Sequence, residues 1–175
     1  MKMIEKPHYS EMKLIKELIY DKCGWDLTNL KLHKESLEYA ACSFELNGQI
    51  IEYRTSKITP TKTGQFVTIW KRNQDGVTAP FDESDEIDFI VITSKSGNNI
   101  GQFIFPMSIL ADKGIVSRNG KGGKRGIRVY PPWDQVTSKQ AGKTQSWQTN
   151  YFVLIQGENQ TNLDLARKII HSNCN

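Results

Sequence analysis

Cysteine is scarce in this 175-residue chain, and that scarcity excludes a good deal. Cys23, Cys42 and Cys174 are too few and too scattered for a disulfide framework or a zinc knuckle. The three histidines, His8, His33 and His171, never pair at metal-ligand spacing, so no structural zinc is expected and a Cys-His nucleophile is disfavoured. Long apolar runs are also missing. Segments such as Tyr151 to Ile155 fall well short of the ~20 residues that cross a bilayer. The opening MKMIEKPHYSEMK is too polar for a secretory signal, so a cytoplasmic location away from membranes is expected. No linker or low-complexity stretch interrupts the chain, and residues 1–175 read as a single domain.

Acidic residues are absent from two windows. From Lys113 to Trp133 the chain reads KGIVSRNGKGGKRGIRVYPPW, with six cations and no acid. From Tyr53 to Gln74 it carries Arg54, Lys57, Lys62, Lys71 and Arg72, again with no acid. The net charge of +4 therefore understates the asymmetry: residues 113–157 carry +7 and the remaining residues −3. Segregated positive charge is the electrostatic footprint of a polyanionic partner, although a solvated basic face gives the same pattern. Glycines allow close approach to a phosphate, cations neutralise it, and aromatic rings such as Tyr130 and Trp133 offer a stacking surface for a base.

The remaining periodicities place these windows on a fold. Ser10 is expected to cap a helix from Glu11 to about Lys22, with Met12, Ile15, Leu18 and Ile19 on its buried face and Gly24 ending it. Residues 26–37 are ambiguous. The stretch from Tyr39 to Leu46 alternates as a strand, and Asn47-Gly48 predicts a tight hairpin into a returning strand, Gln49 to Thr55. Further strands are expected over Gln65 to Arg72, Glu86 to Thr93, Ile100 to Phe105, Gly126 to Tyr130 and Tyr151 to Ile155. Loops fill 59–64 and 73–84. A short helix follows Pro106, a second spans Ser138 to Gln148, and a third is capped by Thr161, with Leu165, Ala166 and Ile169 buried. The fold class is α+β, with a mostly antiparallel or mixed central sheet and flanking helices.

Catalytic signals are weaker than the basic ones. Asp88 lies within an apolar strand, unlike its acidic neighbours Asp82 to Glu86 in the loop, and a buried carboxylate needs a metal or a cation as partner. Divalent-metal nucleases place such an Asp beside a second carboxylate and a Lys on the adjacent strand. The acids hold Mg²⁺, and the Lys helps to activate water. Here the adjacent strand offers Gln102, which can lend an oxygen to Mg²⁺, and Ile104 where the Lys belongs. Glu52 is a candidate second carboxylate, and Lys71 or Lys124 a displaced cation. The site is thus incomplete: Mg²⁺ on Asp88 is a candidate, and no cofactor is required.

The segment Gly120 to Gly126 is not a nucleotide-binding P-loop, because Arg125 follows Lys124 where Ser or Thr belongs and no helix begins there. Arg125 and Arg128 have the forked geometry that grips phosphate oxygens, with Lys124 beside them. Lys139 and Lys143 stand one helical turn apart and could flank a groove.

The segments EYRTSKITPTKTGQFVTIWKR (52–72), DEIDFIVI (85–92), GQFIFP (101–106), GKRGIRVYPPWD (123–134) and KTQSWQTNYF (143–152) resemble the MepB-like family. That resemblance implies a small cytoplasmic bacterial protein, accompanied in some genomes by a multidrug-export operon. It also implies a fold related to PD-(D/E)XK endonucleases and an interaction with DNA. Three functions are therefore expected, in order. The first is nucleic-acid binding through Arg54, Lys57, Lys62, Lys71, Lys124, Arg125, Arg128, Lys139 and Lys143. The second is a Mg²⁺-dependent nuclease using Asp88, Gln102 and Glu52. The third is a small-ligand sensor or protein-interaction module whose pocket is lined by Tyr130, Trp133 and Trp147.

Overall fold

The computed structural model describes residues 9–155 and 161–173. His8 and Cys174 lie outside them. Among the described residues, a six-stranded sheet forms the centre. It comprises β1 (Leu27–Leu32), β2 (Cys42–Leu46), β3 (Gln49–Thr55), β8 (Phe89–Ser96), β9 (Asn99–Pro106) and β11 (Phe152–Ile155), side by side in that order. Every neighbouring pair is antiparallel except β3 and β8, which run parallel. The expected α+β class is observed, and the sheet is mixed.

Each face of this sheet is covered. On one side α1 (Ser10–Ile15), its π-helical continuation Lys16–Tyr20, and α4 (Leu163–His171) bury Met12, Ile15, Ile19, Ala166 and Ile169 against Phe44, Tyr53, Val91 and Ile104. On the other side lies a three-stranded sheet, β10 (Gly126–Val129), β5 (Gln65–Thr68) and β4 (Lys57–Ile58). With α2 (Met107–Asp112) it buries Val67, Ile127, Val129 and Leu110 against Ile90, Ile92, Phe103 and Phe105. Helix α3 (Lys139–Gln148) stands beside β10. No helix among the described residues is long and apolar enough to cross a membrane.

Local chemistry explains most boundaries. Asn47 and Gly48 both take positive φ, as a tight two-residue turn between antiparallel strands requires. Residues 26–37 resisted a sequence assignment because β1 is irregular: its register shifts between Thr28 and Lys31, and Asn29 is left-handed. The expected strand from Gln65 to Arg72 is divided. Ile69 buries its side chain and donates its N–H to the Arg125 carbonyl. The chain beyond it, β6 (Trp70–Arg72), pairs instead with β7 (Thr78–Pro80), a strand inside the expected 73–84 loop. At α4 the cap is Asn162 rather than Thr161: its side-chain oxygen accepts the Leu165 N–H at 3.0 Å. At α1 the residue before the helix is Tyr9, and Ser10 is already helical.

Candidate functional site

Strands β5 and β10 direct alternate side chains to opposite faces. Val67, Ile127 and Val129 point into the core. Phe66 and Arg128, paired across the two strands, face outward with Gly126. Gly126 permits the Phe66 ring to lie across it, since a Cβ there would stand 2.6 Å from the ring. β10 lacks a strand on its second side, and α3 supplies the missing partners. Gln148, fully buried, donates from Nε2 to the Arg128 carbonyl at 3.0 Å and accepts the Tyr130 N–H at Oε1, 2.8 Å away. Gln145 donates to the carbonyls of Pro131 and Asp134. These two amides brace the chain; they do not wait for a ligand.

Between this sheet, the 59–64 loop, the end of α2 and α3 opens a cleft of about 740 Å³. Its charged lining is Lys62, Lys113, Lys124 and Arg128, and no carboxylate borders it. Phe66, Tyr130 and Trp147 supply aromatic wall. The Lys113 ammonium stands 5.5 Å from the centre of the Trp147 ring, a cation–π contact. Arg128 also ties down the 59–64 loop, donating to the Thr59 hydroxyl at 2.7 Å and to the carbonyls of Thr63 and Gly64.

The structure sorts the cations expected to meet a polyanion. Lys62 and Lys124 line the cleft with no ion pair among the described residues. Lys139 and Lys143 are exposed on α3, and Lys57 lies on β4 with its ammonium over the Tyr39 ring. Arg125 is exposed but uses its fork on the Thr78 carbonyl and hydroxyl. Lys71 is paired with Asp85. Arg54 does not present a free cation: it is 3% exposed, pairs with Glu52, and donates to the Tyr53 and Thr68 carbonyls. A guanidinium so engaged is a buried structural group. Arg118, from the opening run, is likewise held by Glu83 and Asp112.

Of the expected stacking pair, Tyr130 borders the cleft. Trp133 is turned the other way, packed edge-on against Phe152 with ring centres 5.6 Å apart, and belongs to the core. Phe66 and Lys113 line the cleft but were not among the expected contact residues, although Lys113 opens the basic window. The signal for Phe66 lay in β5, whose outward positions are as apolar as its inward ones.

The expected metal set is not assembled. Asp88 sits just before β8 rather than within it. One carboxylate oxygen accepts the Ile50 N–H at 2.8 Å and the other faces the Asn173 amide, so Asp88 joins the ends of the chain segments around it. Gln102 is completely buried and pairs in register with Thr93, five residues further along β8, roughly 16 Å away at strand rise. It accepts from the Tyr20 hydroxyl at 3.0 Å and donates to Thr93. Tyr53 also bonds Thr93, so Gln102 lies on the Tyr53 face of the sheet, whereas Glu52 alternates to the opposite face. Asp88, Gln102 and Glu52 thus do not converge and do not fit Mg²⁺. No cluster of three or more His, Cys, Asp or Glu suited to a metal occurs among the described residues.

The glycine-rich segment is held by an acid instead. Asp82 accepts from the Ser117 hydroxyl at 2.6 Å, the Gly120 N–H at 3.0 Å, and both the hydroxyl and N–H of Ser84. These donors, the Ser117 hydroxyl foremost, hold its carboxyl well below the usual carboxylate range. Lys124 N–H reaches the Ile115 carbonyl at 2.8 Å, which delivers the Lys124 side chain to the cleft.

The class defined here is an α+β domain with a mixed central sheet and a basic, aromatic-walled cleft. The MepB-like family model matches residues 33–154, and the chain belongs to that family. The crystal structure of MepB is similar to it with a TM-score of 0.73 and 31% identity, covering 85% of this chain and 98% of that one. A bacterial homing endonuclease gives a TM-score of 0.39 at 18% identity, over 77% of this chain and 89% of its own. No curated protein matches the chain.

Proposed function

We propose that this MepB-like protein binds nucleic acid, DNA foremost, with the phosphate backbone held in the cleft between β10 and α3. The observation that carries this reading is the lining itself: Lys62, Lys113, Lys124 and Arg128 converge with no carboxylate among them, beside the rings of Phe66, Tyr130 and Trp147. Cations neutralise successive phosphates, while rings accept bases without regard to sequence. The exposed Lys57, Lys139 and Lys143 extend the positive surface beyond the cleft walls. An extended polyanion uses such a margin; a small ligand does not.

A second reading is a small anionic ligand. Its support is the cleft volume, which lies within the ~300–1,000 Å³ typical of small-molecule sites. Fluorescence anisotropy with labelled DNA oligonucleotides of increasing length separates the two. Nucleic-acid binding gives affinity that rises with length and falls steeply with salt. Absence of binding at low salt to both single-stranded and duplex DNA overturns it, and thermal stabilisation by a nucleotide-sized anion alone then favours the small ligand.

A further inference from the structure

Beside the cleft lies a second cavity of about 330 Å³, bordered by His33, Ser36, Glu52, Arg54, Lys71 and Phe81 among others. Its centre is a chain of contacts from Arg54 through Glu52, both on β3, to His33. The Glu52 carboxylate is nearly buried and is held by Arg54 on one side. On the other it meets His33 Nε2, 2.9 Å from one oxygen and 3.1 Å from the other. An ionised carboxylate only accepts, so Nε2 must carry the hydrogen and donate. In neutral imidazole the lone pair then rests on Nδ1. That nitrogen has no partner among the described residues, and the His33 side chain is about a third exposed, at 34%. A base whose tautomer and orientation are set by a third group is the arrangement that activates a water or a nucleophile.

The cavity's position suggests what that base acts on. Phe66 borders the basic cleft, and Thr68, two residues along the same face of β5, donates its hydroxyl hydrogen to Ser36 on the wall of the second cavity. Residues two apart on a strand are about 7 Å apart, so the wall of the second cavity adjoins the strand that carries Phe66. Other charges facing the cavity are Lys34, Glu35, Lys71 and Arg72. Arg72 is neutralised by Glu35 and Lys71 by Asp85, while Lys34 has no ion pair among the described residues.

We propose that this second cavity is a hydrolytic site for phosphodiesters, with His33 as general base and Glu52 as its positioning residue. The proposal rests on the nucleic-acid reading for its natural substrate but not for its chemistry. A water oxygen attacks phosphorus while one of its protons moves to His33 Nδ1. The bond from phosphorus to the leaving oxygen breaks, the leaving oxygen takes a proton from solvent, and His33 returns its own. Water is the only co-reactant.

The test uses the full chain with bis(p-nitrophenyl) phosphate and, separately, a labelled oligothymidylate, each in the presence of a chelator. Expected is hydrolysis that rises with pH through one ionisation. It should fall on the order of 10²–10⁴-fold in both His33→Gln and His33→Ala, and return in His33→Ala on adding imidazole. The Gln variant keeps a donor to Glu52, so loss of activity with an unchanged unfolding curve isolates the base. Hydrolysis of neither substrate by wild type, or full activity in both variants, overturns the proposal. Oligonucleotide binding without hydrolysis overturns it while sparing the nucleic-acid reading. Hydrolysis of the small diester without oligonucleotide binding does the reverse.

Discussion

The side-chain amide of Gln148 replaces a strand beside Tyr130. Its oxygen accepts the Tyr130 N–H at 2.8 Å while its nitrogen serves the Arg128 carbonyl. An edge strand needs such partners when its free side is covered. Replacing Gln148 with Leu leaves both backbone groups unsatisfied in a buried setting, at a cost of about 1–3 kcal/mol for each. Urea unfolding should show a lowered midpoint with little change in slope. A wild-type midpoint would show that β10 does not depend on α3.

Lys62 and Lys124 border the cleft and have no ion pair among the described residues. The double substitution to Ala should weaken oligonucleotide binding and flatten its dependence on salt, by about 0.7 in the log–log slope per lost contact to a single strand. Thermal stability should change little, because neither ammonium holds the fold. Arg118→Ala serves as the contrast: its guanidinium belongs to Glu83 and Asp112, and the slope should stay as it was.

Arg54→Ala should act on stability before it acts on any ligand. The substitution leaves Glu52 buried without its cation, and breaking a buried pair from one side typically costs about 3–5 kcal/mol. Chemical denaturation of the variant measures this. A loss below 1 kcal/mol would mean that Glu52 is served by His33 alone.

Asp82 gives a dependence on pH. Its folded carboxyl is held below the unfolded value, chiefly by the Ser117 hydroxyl, so its stabilising contribution is present above the unfolded value and is lost as pH falls through the folded one. Asp82→Asn should therefore lower stability at neutral pH and narrow its distance from wild type in strong acid. Melting temperatures between neutrality and strong acid check the sign. Parallel curves for the two proteins would remove Asp82 from the account.

Much of the fold was legible because it is written locally. The alternation of Cys42, Phe44 and Leu46, the Asn47-Gly48 turn and the helix over 138–148 each depend on a few adjacent residues, and all formed where expected, with Ser138 serving as the cap of that helix. The division of the strand at Ile69 depends on the Arg125 carbonyl, more than fifty positions away, and leaves no local trace. The site was legible in its sign of charge but not in its pairing. Lys62, Lys124, Arg128 and Tyr130 gather at the cleft as the basic windows suggested. Arg54 does not, and there the sequence held a clue: Glu52, two residues away, points to the same face of the strand. The Asp88 and Gln102 pairing failed because a hairpin places residues at a depth as well as on a neighbouring strand, and theirs differ.

The Asp82 clamp also bears on speed. A glycine-rich cationic tail would have to be ordered by whatever it meets, which slows productive encounter and weakens the complex. Here Ser117 and Gly120 are already fastened, and Lys124 is already aimed. If the proposed nucleic acid binds here, it meets a charge array already in place, and its capture should be governed by long-range attraction and orientation rather than by waiting for a loop to settle.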